Sequence, residues 1–210
     1  MSKYQLKYNK YKKICADILN KSLCLDFYFV HDAGNKDNIF KILNDKYIKS
    51  SSKTKNTRFS SYTLSHVFSN IYFNDIKNIK EMNCMLFILS PFIMFDTDVY
   101  FNKGWSGLPD YNSDLNLLKS DSLDIKLKKL DKIKKFVNNP KELNSMIRST
   151  PIMTHECLFP KNISLEDYLL GIVCYKCDVK KIRKLLKGTS IENVKIFNNG
   201  EGLPSLKDLF

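Results

Sequence analysis

Arginine, histidine and alanine are scarce in this 210-residue chain, which has three arginines (Arg58, Arg148, Arg183), three histidines (His31, His66, His155) and two alanines. Glycine and proline are also few, at 7 and 6, so a collagen-like or Gly/Pro-rich low-complexity chain is excluded. No stretch approaches the roughly 18–20 apolar residues that a membrane span needs. Met1 to Lys13 lacks the apolar run of a signal peptide, and a soluble, cytoplasmic protein with no membrane partner is expected. Glycine-rich phosphate loops of the P-loop or dinucleotide type are missing, as are His-Glu-x-x-His and Gly-x-Ser-x-Gly signatures. Six cysteines fall short of a disulfide scaffold and point to a reducing compartment. Cys174-Tyr-Lys-Cys177 has the two-residue gap of a zinc knuckle, but Cys15, Cys24, Cys84 and Cys157 are isolated and supply no second pair. No metal site is expected there. Cys174 reads instead as a core residue on a strand, with Cys177 near the strand's end.

What is present is enough apolar surface for a core. The hydrophobic fraction is 43% and the aromatic fraction 12%, which excludes a disordered chain. The formal charge is +12, from 34 basic and 22 acidic residues. Such an excess invites a polyanionic partner. It is weakened as evidence by a general skew toward Lys, Asn, Ile, Tyr and Phe of the kind that AT-rich coding produces. The charge is also uneven, because residues 61–120 hold more acidic than basic side chains while the flanking thirds are basic.

Residues 3–21 space Tyr4, Leu6, Tyr8, Tyr11, Ile14, Ile18 and Leu19 at roughly helical intervals, which predicts an amphipathic extension over residues 1–22 ahead of one domain over 23–210. Strands are predicted at Leu25–Val30, Ile71–Phe73, Cys84–Leu89, Val99–Phe101, Ile152–Phe159 and Tyr168–Cys174, with a further candidate at Val194–Phe197. Helices are predicted at Asn38–Leu43, across 114–147 with a break at Asn138-Asn139-Pro140, and at Lys180–Leu186. Ser164-Leu-Glu-Asp167 has the pattern of a capping-box turn. There is no internal repeat.

Chemistry centres on few residues. His31 closes the first strand beside the Ala33-Gly34-Asn35 turn. His155-Glu156 interrupts an otherwise apolar strand with an ionisable pair. A buried, unpaired carboxylate costs several kcal/mol, roughly, so Glu156 faces either a cleft or, as an edge-strand residue, open solvent. Lys126, Lys128, Lys129, Lys132, Lys134 and Lys135 surround an apolar helical stripe; they suit either phosphate contacts or a solvated helix face.

The order of these pieces resembles the ADP-ribosyltransferase fold. In that family a first strand supplies a His or Arg for the adenosine side of NAD, a central aromatic stacks on nicotinamide, and a late strand supplies the catalytic glutamate. More narrowly, Phe27-Tyr-Phe-Val-His31 followed by Asn38-Ile-Phe-Lys-Ile-Leu43 is similar to the opening of the DarT-like DNA ADP-ribosyltransferases. Ile71-Tyr-Phe73, Met85-Leu-Phe-Ile-Leu-Ser90 and Val99-Tyr-Phe-Asn102 resemble later strands of that group. Asn139-Pro-Lys-Glu-Leu143, Thr154-His-Glu-Cys-Leu-Phe159 and Ile163–Ile172 resemble its closing block, so the likeness covers about residues 25–197.

The resemblance implies an α+β fold: a split β-sheet core of the ADP-ribosyltransferase type, surrounded by helices, with a helical insert before the last strands. It implies NAD as co-substrate, no metal, and transfer of ADP-ribose to a base in nucleic acid, most plausibly single-stranded DNA. A toxin, effector or phage-defence setting with an antitoxin or other neutralising protein goes with that activity. Glu156 and Arg58 are the implied catalytic residues, and His31, Asn38, Tyr72 and Phe73 the implied cofactor-binding ones. Glu156 would stabilise the oxocarbenium-like sugar and hold its 2′-hydroxyl.

Departures are visible. Asp32-Ala33 follows His31 where the family has a Thr two positions on, and Thr154-His155 precedes Glu156 where Gln-Ala is commoner. Arg58-Phe-Ser-Ser61 echoes the Ser-Thr-Ser signature of toxin-type transferases, but Thr154 stands where their Glu or Gln partner belongs, which counts against arginine-directed protein modification. A protein-directed transferase and a non-catalytic nucleic-acid-binding module on the same fold are the alternatives.

Overall fold

The computed structural model describes residues 27–34, 36–50, 66–73, 85–102, 113–137, 156–174, 177–198, 203–204 and 206–209. The expected helix over 3–21, Arg58 and its loop, Lys103–Gly107, His155 and the segment 138–147 lie outside the described residues.

Among the described residues, seven strands form one sheet in the order β5-β6-β3-β1-β4-β8-β9. They are β1 (Phe27–Asp32), β3 (Val67–Phe73), β4 (Met85–Leu89), β5 (Tyr100–Asn102), β6 (Glu156–Phe159), β8 (Leu169–Cys174) and β9 (Lys195–Asn198). A two-stranded sheet joins β2 (Tyr47–Ile48) to β7 (Ile163–Ser164). Helices are α1 (Lys36–Asp45), α2 (Leu123–Val137), α3 (Leu165–Tyr168), α4 (Val179–Leu186) and α5 (Leu206–Leu209), with a 3-10 turn at Pro91–Phe95. The α+β class read from the sequence is what the chain has, and α2 is the helical segment ahead of the later strands. No helix among the described residues is long and apolar enough to cross a membrane.

Pairing is antiparallel throughout the large sheet except between β8 and β9. A parallel pair needs a crossover, and α4 supplies it. The central strand β1 is buried on both faces, with Phe27 and Phe29 on one side and Tyr28 and Val30 on the other. On the first face, Phe73, Phe87 and Phe159 meet Ile39 and Leu43 of α1, Leu130 and Ile133 of α2, and Ile182 and Leu186 of α4. Each such side chain, fully buried, is worth about 1.5–3 kcal/mol, so this helix-covered face holds most of the hydrophobic stabilisation.

The second face carries a smaller cluster of Tyr28, Val30, Tyr72, Leu86, Ile88, Leu170, Val173 and Leu209, with Phe197 and Leu203 against it. The C-terminal segment lies there, with the Tyr28 hydroxyl donating to the Pro204 carbonyl at 3.0 Å. Gly171 allows the approach, since a Cβ on it would stand 2.9 Å from Leu209 Cδ2 and 3.0 Å from Phe197 Cε2.

Two expectations change. The helical spacing from 114 begins too early, because Leu115 and Leu117 are buried in an irregular segment where Leu117 bridges Val99, and α2 starts only at Leu123. Strand β3 begins at Val67, four residues ahead of the apolar run that signals it, because Ser69 and Asn70 break the alternation.

Candidate functional site

The carboxylate position Glu156 opens β6. Its register partners are Asn70 on β3 and Asn102 on β5. Asn70 in turn faces Val30 on β1, and the row continues through Ile88 and Gly171 to Lys195. A carboxylate position between two amides therefore occupies one end of a row whose middle is apolar. Side chains two apart on a strand share a face, so Tyr72 belongs with Asn70, on the face that carries the C-terminal segment.

Tyr72 is 8% exposed and stacks on Tyr28, with ring centroids 6.1 Å apart and planes 22° from parallel. Burial holds both phenols above their ordinary range, and for Tyr28 the neighbouring Tyr72 and Asp208 add to the effect. Both hydroxyls therefore stay protonated near neutral pH.

His31 lies elsewhere. It pairs with Phe87 in the register of β1 and β4, one residue along from Val30, which puts it on the helix-covered face. Its ring sits 6.4 Å from that of Phe87, and Nδ1 donates to the Phe68 carbonyl at 2.6 Å. A carbonyl only accepts, so Nδ1 carries the proton and Nε2 the lone pair of the neutral ring. Burial lowers the His31 pKa, outweighing the opposing pull of the Phe68 carbonyl and Asp32. The histidine is a neutral tether between β1 and β3.

Asn38 and Phe73 also fall away from Glu156. The Asn38 amide donates to the Ala33 carbonyl at 3.2 Å and ties α1 to the turn after β1. Asp32 Oδ1 accepts the Gly34 N–H at 2.8 Å in the same turn, where Gly34 adopts a φ of +74°. Phe73 is 2% exposed, lies 5.8 Å from Phe27 between centroids, and has the Lys134 ammonium 5.7 Å from its ring centre. It is a core ring. Of the residues named from the sequence, register thus unites Glu156 with Tyr72 and sets His31 and Phe73 on the other side, while Asn38 lies on α1.

Asn70 and Asn102 were not singled out from the sequence. The available signal was an amide within each of two apolar strands, a residue type depleted in strands.

The lysines of α2 are mostly engaged inside the chain. Lys126 is fully buried, donating to the carbonyls of Leu118, Lys119 and Asp121, with the Phe95 ring centre 5.9 Å away. Lys129 holds the Asn116 carbonyl and the Asp121 carboxylate, both at 2.7 Å. Lys132 and Lys135 pair with Asp114 and Asp131. Around α4 the balance differs, since Lys180 and Lys184 on the helix and Lys187 at its C-cap are exposed and unpaired among the described residues.

A family model described as a family of unknown function, DUF5846, matches residues 24–140. The chain belongs to this family. The DUF5846 match spans β1 through α2 and stops ahead of β6, which carries Glu156. Over 98% of its length the chain is 31% identical to uncharacterized protein R11 of Acanthamoeba polyphaga mimivirus, covering 84% of that protein. It is 27% identical to uncharacterized protein L54 of the same virus, over 87% of this chain and 94% of the relative. No solved structure matches it.

Proposed function

We propose that this chain is an NAD-dependent ADP-ribosyltransferase that transfers ADP-ribose to a nucleic-acid base, with single-stranded DNA as the favoured acceptor. What supports this is the row Asn102, Glu156, Asn70, on the same face as Tyr72. Asparagine positions beside a glutamate position suit the ligand's chemistry, because an amide has both a donor and an acceptor to offer ribose hydroxyls or a carboxamide. The carboxylate at Glu156 would stabilise positive charge as the nicotinamide–ribose bond lengthens, and would hold the 2′-hydroxyl. It would also take the proton of the attacking acceptor.

Tyr72 has one ring face on Tyr28, so nicotinamide would meet its other face or edge. His31 enters as the residue that fixes β1 against β3 and not as a ligand of the same molecule. A cation for the pyrophosphate is not supplied by the Glu156 row itself, whose terminal Lys195 donates to the Asp208 carbonyl at 2.6 Å. In the proposal Arg58, implied as catalytic by the resemblance, would balance phosphate or acceptor charge.

The test uses the full chain, NAD and a single-stranded oligonucleotide, read by mass spectrometry for an added ADP-ribose and by release of nicotinamide. Glu156→Gln should lower product formation by about 10²–10³-fold, with Asn70→Ala and Asn102→Ala intermediate. Wild-type protein that yields no product with DNA or RNA, or a Glu156→Gln variant as active as wild type, would sink the proposal.

Polyanion binding without catalysis is favoured by a different observation. Lys180 and Lys184 share one side of α4 at i, i+4 spacing, and Lys187 follows at its C-cap. Three phosphate contacts would give a slope of log Kobs against log salt of about −2 on single strands. Salt-sensitive binding with that slope, lost in the triple Lys→Ala variant and accompanied by no NAD turnover, would establish it instead.

A further inference from the structure

The one parallel connection among the described strands carries a Cys-x-x-Cys pair at its first turn. Cys174 is the last residue of β8, and Cys177 stands immediately before Asp178, the cap of α4. β8, α4 and β9 form a βαβ unit, with β9 parallel to β8. The strand-to-helix turn at the carboxyl end of a parallel strand is where α/β units commonly place their sites. A Cys-x-x-Cys there has the arrangement of a dithiol redox motif.

The two cysteines stand within reach of a disulfide, with Cα atoms 5.8 Å apart, inside the range such a bridge requires. They differ in access. Cys174 is 4% exposed in the core, whereas Cys177 is only partly buried.

A structural staple is a poor account of such a bridge. Closing a ring across two intervening residues removes little chain entropy compared with a long loop. The entry to α4 is also held by other means. Asp178 Oδ1 accepts the Lys181 N–H at 3.0 Å, and the Cys177 carbonyl accepts the Val179 N–H at 3.1 Å. Ile182 and Leu186 are fully buried. Arg183 donates to the carbonyls of Glu192 and Val194 at 2.9 and 2.8 Å, fastening the turn between α4 and β9. None of these contacts runs through either sulfur, which is the condition for a disulfide that can cycle without unfolding its surroundings.

We propose that Cys174 and Cys177 form a reversible thiol–disulfide exchange site that reacts with small thiols of the glutathione type. The external thiolate attacks the accessible Cys177 sulfur and forms a mixed disulfide. The Cys174 sulfur leaves as a thiolate and takes a proton from solvent. A second small thiol, as its thiolate, attacks the small-thiol sulfur of the mixed disulfide, which releases Cys177, to be protonated in turn, and the oxidised small disulfide. Two small thiols are oxidised to one disulfide and the protein disulfide is reduced to two thiols, a transfer of two electrons. Oxidation runs the same steps in reverse.

The site is tested on the full chain equilibrated in a series of reduced-to-oxidised glutathione ratios, quenched in acid, alkylated, and read by mass spectrometry of the peptide spanning 174–177. The expected result is a two-label change, both cysteines together, with its midpoint inside the series and an unchanged circular dichroism spectrum. Cys177→Ser should abolish the paired change, while Cys157→Ser, at a buried cysteine of β6, should leave it intact. Three results would overturn the proposal: a peptide fully alkylated at every ratio, a peptide never alkylated even in the most reducing buffer, or stoichiometric zinc released from the purified protein by a colorimetric chelator. The wild-type titration decides the matter even if Cys177→Ser fails to fold.

Discussion

Lys126→Met removes an ammonium and keeps most of the side chain's volume, and its cost can be worked out contact by contact. Lys126 is fully buried on α2 and donates to the carbonyls of Leu118, Asp121 and Lys119, the last two at 2.9 and 3.4 Å. Desolvation lowers its pKa, with Asp121 and Asp98 pulling the other way and Lys129 reinforcing the decrease. The Leu118 carbonyl keeps the Asp121 N–H at 3.0 Å. Lys119 is exposed, so its carbonyl turns to water. The Asp121 carboxylate retains the Leu118 N–H at 2.9 Å and Lys129 at 2.7 Å. Only the Asp121 carbonyl loses a good hydrogen bond without a ready replacement.

One charge-assisted bond is worth about 1.5–3 kcal/mol, and relief of the ammonium's burial offsets part of the loss. The net cost should therefore be about 2 kcal/mol, and not the roughly 3–5 kcal/mol typical of breaking a buried ion pair. For a chain of this size that corresponds to a fall in Tm of about 4–8 °C. Urea unfolding of Lys126→Met beside Lys128→Met, an exposed neighbour expected within about 0.5 kcal/mol of wild type, is the assay. If the two variants are equally stable, the anchoring role assigned to Lys126 is wrong.

Two further outcomes are expected. Because burial depresses the His31 pKa, the unfolded chain binds a proton below its ordinary value of about 6.5 while the folded chain does not. Stability should therefore fall as pH drops from about 6.5 toward the depressed value, by at most about 1.4 kcal/mol per pH unit, and His31→Gln should flatten that limb in urea melts. A Gly171→Ala substitution forces Leu209 and Phe197 away from positions 2.9 and 3.0 Å from the new Cβ. It should cost about 1–3 kcal/mol and speed carboxypeptidase digestion of the C-terminal segment; wild-type digestion kinetics would contradict the close packing.

The parts of the fold that the sequence discloses are those where burial is two-sided or periodic. Strands β1, β4 and β8 read as continuous apolar runs because both their faces are covered, and the stripe of Leu127, Leu130 and Ile133 marks α2. Features that depend on how strands meet are hidden. The first half of β3 is masked by Ser69 and Asn70, and Asn70 is the register partner of Glu156. The burial of Lys126 is equally silent, since a lysine at helical spacing looks like any solvated one until the carbonyls of 118–121 close around it. The Cys174–Cys177 pair was visible as a spacing, but its place at the turn of a βαβ unit needed the parallel pairing of β9.

Register decides the candidate site most directly. Alternation along β1 separates Val30 from His31, yet nothing in the sequence says which of the two shares a face with Glu156. The answer rests on Asn70 facing both Val30 and Glu156. A slip of β6 by one residue would reverse it and bring Glu156 to the side of His31. That slip is opposed by packing, because Cys157 and Phe159 are 1% and 0% exposed in the helix-covered core, with the Phe159 ring edge-on to Phe29 at 5.2 Å. Moving Phe159 out of that core would forfeit about 1.5–3 kcal/mol and would put a carboxylate at the place of Cys157, opposite Phe101. The aromatic core therefore fixes which face Glu156 belongs to, and with it the choice of Tyr72, Asn70 and Asn102 over His31 as its neighbours.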